Sequence, residues 1–135
     1  MAGRWAGESV LLMSAVGVLT VHPEEQVRRE TRVVVAATPG FETVGEAGSA
    51  EEALELALEL RPGLLLVGAH MPGIDGFEAT RRLLASLPDT RVVLLYGTTE
   101  PNGASLAESG AIGTVQLGSL TPAILRALWE KHRTE

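Results

Sequence analysis

Few residues of this chain are equipped for catalysis. It has two aspartates, Asp75 and Asp89, one lysine, Lys131, three histidines and no cysteine. The run His22-Pro23-Glu24-Glu25 places an imidazole beside two carboxylates, a grouping that can bind a cation or move a proton. No further cluster of His, Asp or Glu stands nearby, so His22 reads as a cap or strand-end residue. Glu24 and Glu25 read as complements to a helix dipole, able to hold a metal weakly at most. His70 follows the apolar run LLLVG by two residues and has the chemistry to accept a phosphoryl group or bind a ligand. Before Met-Pro-Gly it reads first as a partly exposed structural residue. Asp75 and Asp89 fall in the turns PGIDG and LPDTR. No nucleophile–base pair, phosphate loop or metal signature is present, so the residues assign no enzyme activity, no metal and no cofactor. Gly68 raises the sharper question: it ends the apolar run, where α/β folds keep their chemistry, and brings no side chain.

Alternating strand and helix signals run through the chain. Buried parallel strands appear as continuous apolar runs, and the helices between them carry a 3.6-residue period. SAEEALELALEL is the clearest helix, with Ser49 and Glu52 as a capping box and Ala53, Leu56, Ala57 and Leu60 on one face. LLLVG is a central strand, followed by a helix from Asp75 as N-cap, with Glu78 three residues on. RVVLLYG is another central strand and Ile112 to Leu117 a shorter one. Thr121 and Pro122 open a last helix through Leu125, Leu128 and Trp129. TRVVVAAT is β-branched, yet it continues from PEEQVRRE, and a helix from about Pro23 to Ala37 is expected; its Arg28, Arg29 and Arg32 with Glu24, Glu25 and Glu30 suggest a solvated, salt-bridged face. EPNGASLAESG leaves room for barely two helical turns. The pattern implies an α/β, doubly wound parallel sheet with flanking helices.

Composition narrows the function classes. At 135 residues and 45% apolar, the chain has the size and core of one domain. The formal charge of −6 argues against a nucleic-acid face. The absence of cysteine suits a reducing, cytoplasmic setting. SVLLMSAVGVLTV is too short to span a bilayer and lacks a cleavage pattern, so it reads as a buried strand and no membrane role is expected. Residues 1 to 16 read as an N-terminal extension plus the start of that strand, 17 to 132 as one domain and 133 to 135 as a tail; Met13 is as good a start as Met1.

FETVGEAGSAEEALELALELRP, HMPGIDGFEATRRL, LPDTRVVLLYG and ESGAIGTVQLGSLTPAILRAL together resemble the CheY-like receiver domain of bacterial two-component response regulators. The resemblance runs from about Gly17 to His132. It points to receivers of the LuxR/NarL type, which usually precede a helix-turn-helix domain; no such segment is seen here. It implies five parallel strands in the order 2-1-3-4-5. It also implies phosphoryl transfer from a histidine kinase to an aspartate, which needs a carboxylate nucleophile, acidic residues holding Mg²⁺, a lysine and a hydroxyl. In register, the nucleophile falls on Gly68, the acidic pair on His22 and Pro23, the hydroxyl on Tyr96 and the lysine on Leu117. None keeps the required chemistry.

The resemblance therefore implies a receiver that is not phosphorylated and works through a protein partner or a homodimer. The surface used would be that of the fourth helix, fifth strand and fifth helix, with Leu106, Val115, Leu125 and Trp129 as its residues. A different reading is a small-molecule pocket where the charges were lost, formed by His22, Gly68, His70, Tyr96 and Gly97. Tyr96 would fill that pocket or close it against the fourth helix.

Overall fold

A computed structural model describes residues 15–133. Five parallel strands, β1 (Val16–Val21), β2 (Phe41–Ala47), β3 (Leu64–Gly68), β4 (Arg91–Tyr96) and β5 (Gly113–Gln116), form one sheet in the order β2-β1-β3-β4-β5. Between and after them run α1 (Glu25–Ala36), α2 (Ala50–Leu60), α3 (Gly76–Ser86), α4 (Gly103–Ser109) and α5 (Pro122–Arg133). This is the doubly wound fold and strand order that the sequence implies. The last helix runs one residue past the expected domain end. Residues 1–14, including the proposed extension and Met13, lie outside the described residues.

Strand alternation divides the core in two. Leu19, Val21, Leu65, Val67, Val92 and Leu94 face one side, beneath α2 and α3. Val18, Leu64, Leu66, Val93, Leu95 and Val115 face the other, where Val35 of α1 and Leu125 of α5 cover them. Every residue of β3 is buried, which is why its sequence is an unbroken apolar run.

The β-branched stretch of α1 is helical, as expected. Thr31 and Val35 are buried one helical turn apart, while Val33 points outward at 64% exposure. Thr31 and Thr38 donate their hydroxyls to the carbonyls of Val27 and Val34, so their polar atoms are absorbed within the helix. Ser49 caps α2 by accepting from the Glu52 N–H at 3.2 Å, but the Glu52 carboxylate returns to the Gly48 N–H, one residue earlier than in a strict capping box. Asp75 caps α3 through the Glu78 N–H at 2.9 Å. A Cβ at Gly76 would lie 2.1 Å from the Gly68 carbonyl oxygen, so only glycine lets α3 start this close to the end of β3.

Candidate functional site

The carboxyl edge of the sheet carries an open cavity of 550 Å³, lined by His22, Pro23, Glu24, His70, Pro72, Leu95, Gly97, Thr98, Thr99 and Leu117. Each lining segment follows a strand, because parallel strands deliver their outgoing loops to one edge.

His22 is the residue around which the site is built. It is buried at the end of β1, and its Nδ1 accepts the Glu24 N–H at 3.1 Å. Its carbonyl accepts from Arg28 Nη1 at 2.7 Å, tying the loop to α1. The ring lies over Gly68. A Cβ built on that glycine would meet His22 Cδ2 at 2.9 Å, Met71 Cγ at 3.4 Å and His22 Nε2 at 3.6 Å. The imidazole thus occupies the space that a side chain ending β3 would take.

Burial pushes the His22 pKa below the usual histidine value; the Arg28 guanidinium lowers it further, against the opposing pull of Glu24. Protonation would also cost the Nδ1 acceptor its hydrogen bond. A histidine that is harder to protonate folded than unfolded makes the unfolded chain bind more protons as pH falls. Stability is therefore full above about pH 6.5, declines as pH drops below it, and levels off beneath the folded-state pKa. Thermal denaturation from pH 8 to 5 is expected to show this decline, and His22→Phe to flatten it. An equal slope in both proteins would remove His22 as its source.

Arginines of α1 reach beyond their own helix. Arg29 pairs with Glu25 at 3.6 Å within the exposed face, as the sequence suggests. Arg32 instead donates to Glu46 of β2, with Nη2 at 2.9 Å, and Arg28 Nε lies 3.6 Å from the same carboxylate. The hydrogen bond from Arg32 holds the Glu46 pKa below the usual carboxylate range. The expected intrahelical face is corrected here because β2 lies alongside α1 and presents a closer acceptor.

Three of the five expected pocket residues line the cavity in the structure, and two do not. His22, His70 and Gly97 line the cavity, as does Leu117, expected only as the lysine position. Gly68 lies beneath the His22 ring and not on the cavity wall. Tyr96 is turned to the other face of the sheet, partly buried beside Leu106 and Ala111 against the α2–α3 core. Alternation explains it: Leu95 faces the cavity, so its neighbour cannot. His70 is exposed and edge-on to Phe77, ring centroids 6.1 Å apart. Thr98 and Thr99 also line the cavity and are not among the expected residues; their signal in the sequence is their place just after the end of a central strand.

Of the expected interaction residues, Leu125 is fully buried and Val115 is 7% exposed. Both side chains belong to the α1–α5 core and cannot contact a partner. Leu106 is partly buried, and Trp129 packs into the core margin near the opposite edge of the sheet.

The donor set does not match Mg²⁺. Glu24 is the one carboxylate on the cavity wall, and among the described residues no three His, Asp or Glu side chains gather around a common point. No helix among these residues is long and apolar enough to cross a membrane.

Residues 18–116 match the response regulator receiver domain family. The chain is similar to the response regulator GacA of Pseudomonas viridiflava, 38% identical over 114 residues covering 84% of this chain and 53% of that protein. It is similar to UvrY of Escherichia coli strain K12 at 32% identity, covering 84% and 52%. It thus spans about half the length of the curated relatives it matches. Among solved structures, a LuxR-family two-component response regulator from Aurantimonas sp. SI85-9A1 superposes with a TM-score of 0.75 at 29% identity, covering 87% of this chain and 84% of the other. The response regulator domain of Thermotoga maritima CheB does so at 0.71 and 26%, covering 86% and 95%. With a family match across the whole sheet and these likenesses in sequence and fold, the chain belongs to the response regulator receiver domain family.

Proposed function

We propose that this chain is a receiver-type signalling domain that takes no phosphoryl group and acts by binding a protein partner or a second copy of itself. The observation that carries the reading is the end of β3. Gly68 offers no nucleophile, and the His22 ring fills the space where one would stand. Two further features support it. The cavity wall has no lysine or arginine to neutralise phosphoryl oxygens, and Leu117 stands where the resemblance places the lysine.

With phosphorylation gone, recognition is the function left to the fold. The α4–β5–α5 surface retains exposed Ala107, Glu108, Gln116, Ala123 and Ala127, and Ile124 at 38% exposure. Ile124, next to the buried Leu125, is the exposed apolar residue that α5 offers on this surface. A cysteine-free chain suits a reducing cytoplasm, where such signalling operates.

Incubation with acetyl phosphate and Mg²⁺, followed by intact-mass measurement, tests the proposal. The mass is expected to stay unchanged, and the sedimentation behaviour of the same sample with it. A gain of one phosphoryl group, mapped to any residue, would overturn the reading.

A further inference from the structure

Two dipeptides of the chain join an Asx residue to glycine, Asp75-Gly76 and Asn102-Gly103, and Asn102 is the only asparagine. After such a residue a main-chain nitrogen can turn back on the side-chain carbonyl, and glycine has no Cβ to bar the approach. Both pairs open a helix. Asp75 caps α3, and Asn102 caps α4 by accepting the Ser105 N–H on Oδ1 at 2.7 Å.

The surroundings of the two pairs differ. Gly76 is buried, its N–H is committed to the Ala69 carbonyl at 3.0 Å, and the Gly68 carbonyl oxygen crowds its Cβ position. That nitrogen has no room to move. Asn102 and Gly103 are both exposed, and the Cβ position of Gly103 has nothing within 4 Å. The Gly103 N–H is the first of its helix and has no partner within it. With only seven residues, α4 opens its first turn at low cost. The cap also prepares the carbonyl. As the Gly103 nitrogen adds to Cγ of Asn102, negative charge gathers on Oδ1, where the Ser105 N–H already points.

We infer that Asn102 is a site of spontaneous deamidation, and that the reaction is a timer on α4. Hydroxide takes the Gly103 amide proton, the nitrogen bonds to Cγ of Asn102, and the bond from Cγ to Nδ2 breaks as Nδ2 takes a proton from water and leaves as ammonia. The product is a succinimide, which water opens in two ways. Breaking the bond from nitrogen to Cγ leaves aspartate, which keeps the cap and adds a charge suited to a helix start. Breaking the bond to the main-chain carbonyl leaves isoaspartate, whose chain runs through Cβ and Cγ. Oδ1 then becomes a main-chain oxygen, and the cap is lost. Because α4 carries Leu106, Ala107 and Glu108, this product acts on the α4–β5–α5 surface. The inference goes beyond the reading of the phosphoryl site and holds whether or not that reading does.

The whole chain, held in mildly alkaline buffer and sampled over days, is the material for the test. Peptide mass mapping follows the change of amide to acid, and labelling by protein isoaspartyl methyltransferase counts isoaspartate. Conversion is expected at Asn102, faster as pH rises, with isoaspartate among the products and the Ser105 amide resonance shifting in step. Asp75 should form no isoaspartate. Gly103→Ala should slow the reaction about tenfold, because the methyl group hinders the approach of the nitrogen. An unchanged Asn102, an equal rate in Gly103→Ala, or isoaspartate at Asp75 as fast as at Asn102 would overturn the inference. So would aspartate as the sole product, or isoaspartate that leaves the Ser105 resonance unmoved.

Discussion

Gly68→Asp is expected to destabilise the chain by about 3 kcal/mol and to gain no phosphorylation. The substitution restores the one side chain that the phosphoryl chemistry of the family cannot do without, so the failure is informative. Steric and electrostatic costs act together. The new Cβ would sit 2.9 Å from His22 Cδ2, closer than carbon atoms pack, and the ring is held by the Glu24 N–H and by burial. The carboxylate would then enter a site with no lysine or arginine on its wall and one carboxylate already there. Gly68→Ala separates the two terms, since it carries the clash without the charge; about 1 kcal/mol is expected for it. Urea unfolding measures both variants, and acetyl phosphate labelling tests the gain of function. A Gly68→Asp protein as stable as wild type, or one that is phosphorylated efficiently, would show that His22 does not occupy the acceptor's space in solution.

Trp129→Ala should cost about 3 kcal/mol, through the fold and not through a partner. The indole stacks edge-on against Phe41, centroids 5.9 Å apart at 85°, and the Arg91 guanidinium lies 4.2 Å over its face. Its outer edge comes within 3.7 Å of the Cβ position of Gly63, so it also seals the turn between α2 and β3. Removing it leaves a gap beside Phe41, itself only 8% exposed, and uncovers Arg91, whose Nη1 is buried without a hydrogen-bond partner. A drop in the urea midpoint at constant slope would show this as lost stability. A change below 1 kcal/mol together with weakened self-association would return Trp129 to the interaction face that the resemblance implies.

How far the site was legible depended on what kind of information each residue carried. The strands and helices followed from periodicity and caps, and even the β-branched α1 was readable, because it continues from PEEQVRRE, whose Pro23, Glu24 and Glu25 suit a helix first turn. Gly68 was conspicuous because position alone, at the end of an apolar run, made its missing side chain significant. The hand of Tyr96 was not legible in the same way. Near a strand end, one residue of register decides which face a side chain takes, and family position names the residue without its direction. Leu125 and Val115 failed as surface residues for a related reason. A segment can border a recognition surface while its apolar members turn inward, and amphipathic spacing does not say which face meets the sheet.

By itself the sequence determined the fold class, the order of elements and the poverty of the active site, because these rest on local period, capping and residue type. The two aspartates both fall in turns and the one lysine lies near the end, so the positions that the resemblance gives to the acceptor, the acidic pair and the lysine fall on Gly68, His22, Pro23 and Leu117. Only the tertiary structure decided what replaced that site. The His22 ring reaches Gly68 because β1 and β3 are neighbours in the sheet, although the two residues are far apart in sequence. Arg28 and Arg32 find Glu46 because α1 packs beside β2, and Thr98 and Thr99 face His22 because parallel strands carry their loops to one edge. Contacts between distant segments depend on pairing and twist across the whole sheet, and no local stretch of residues encodes them alone.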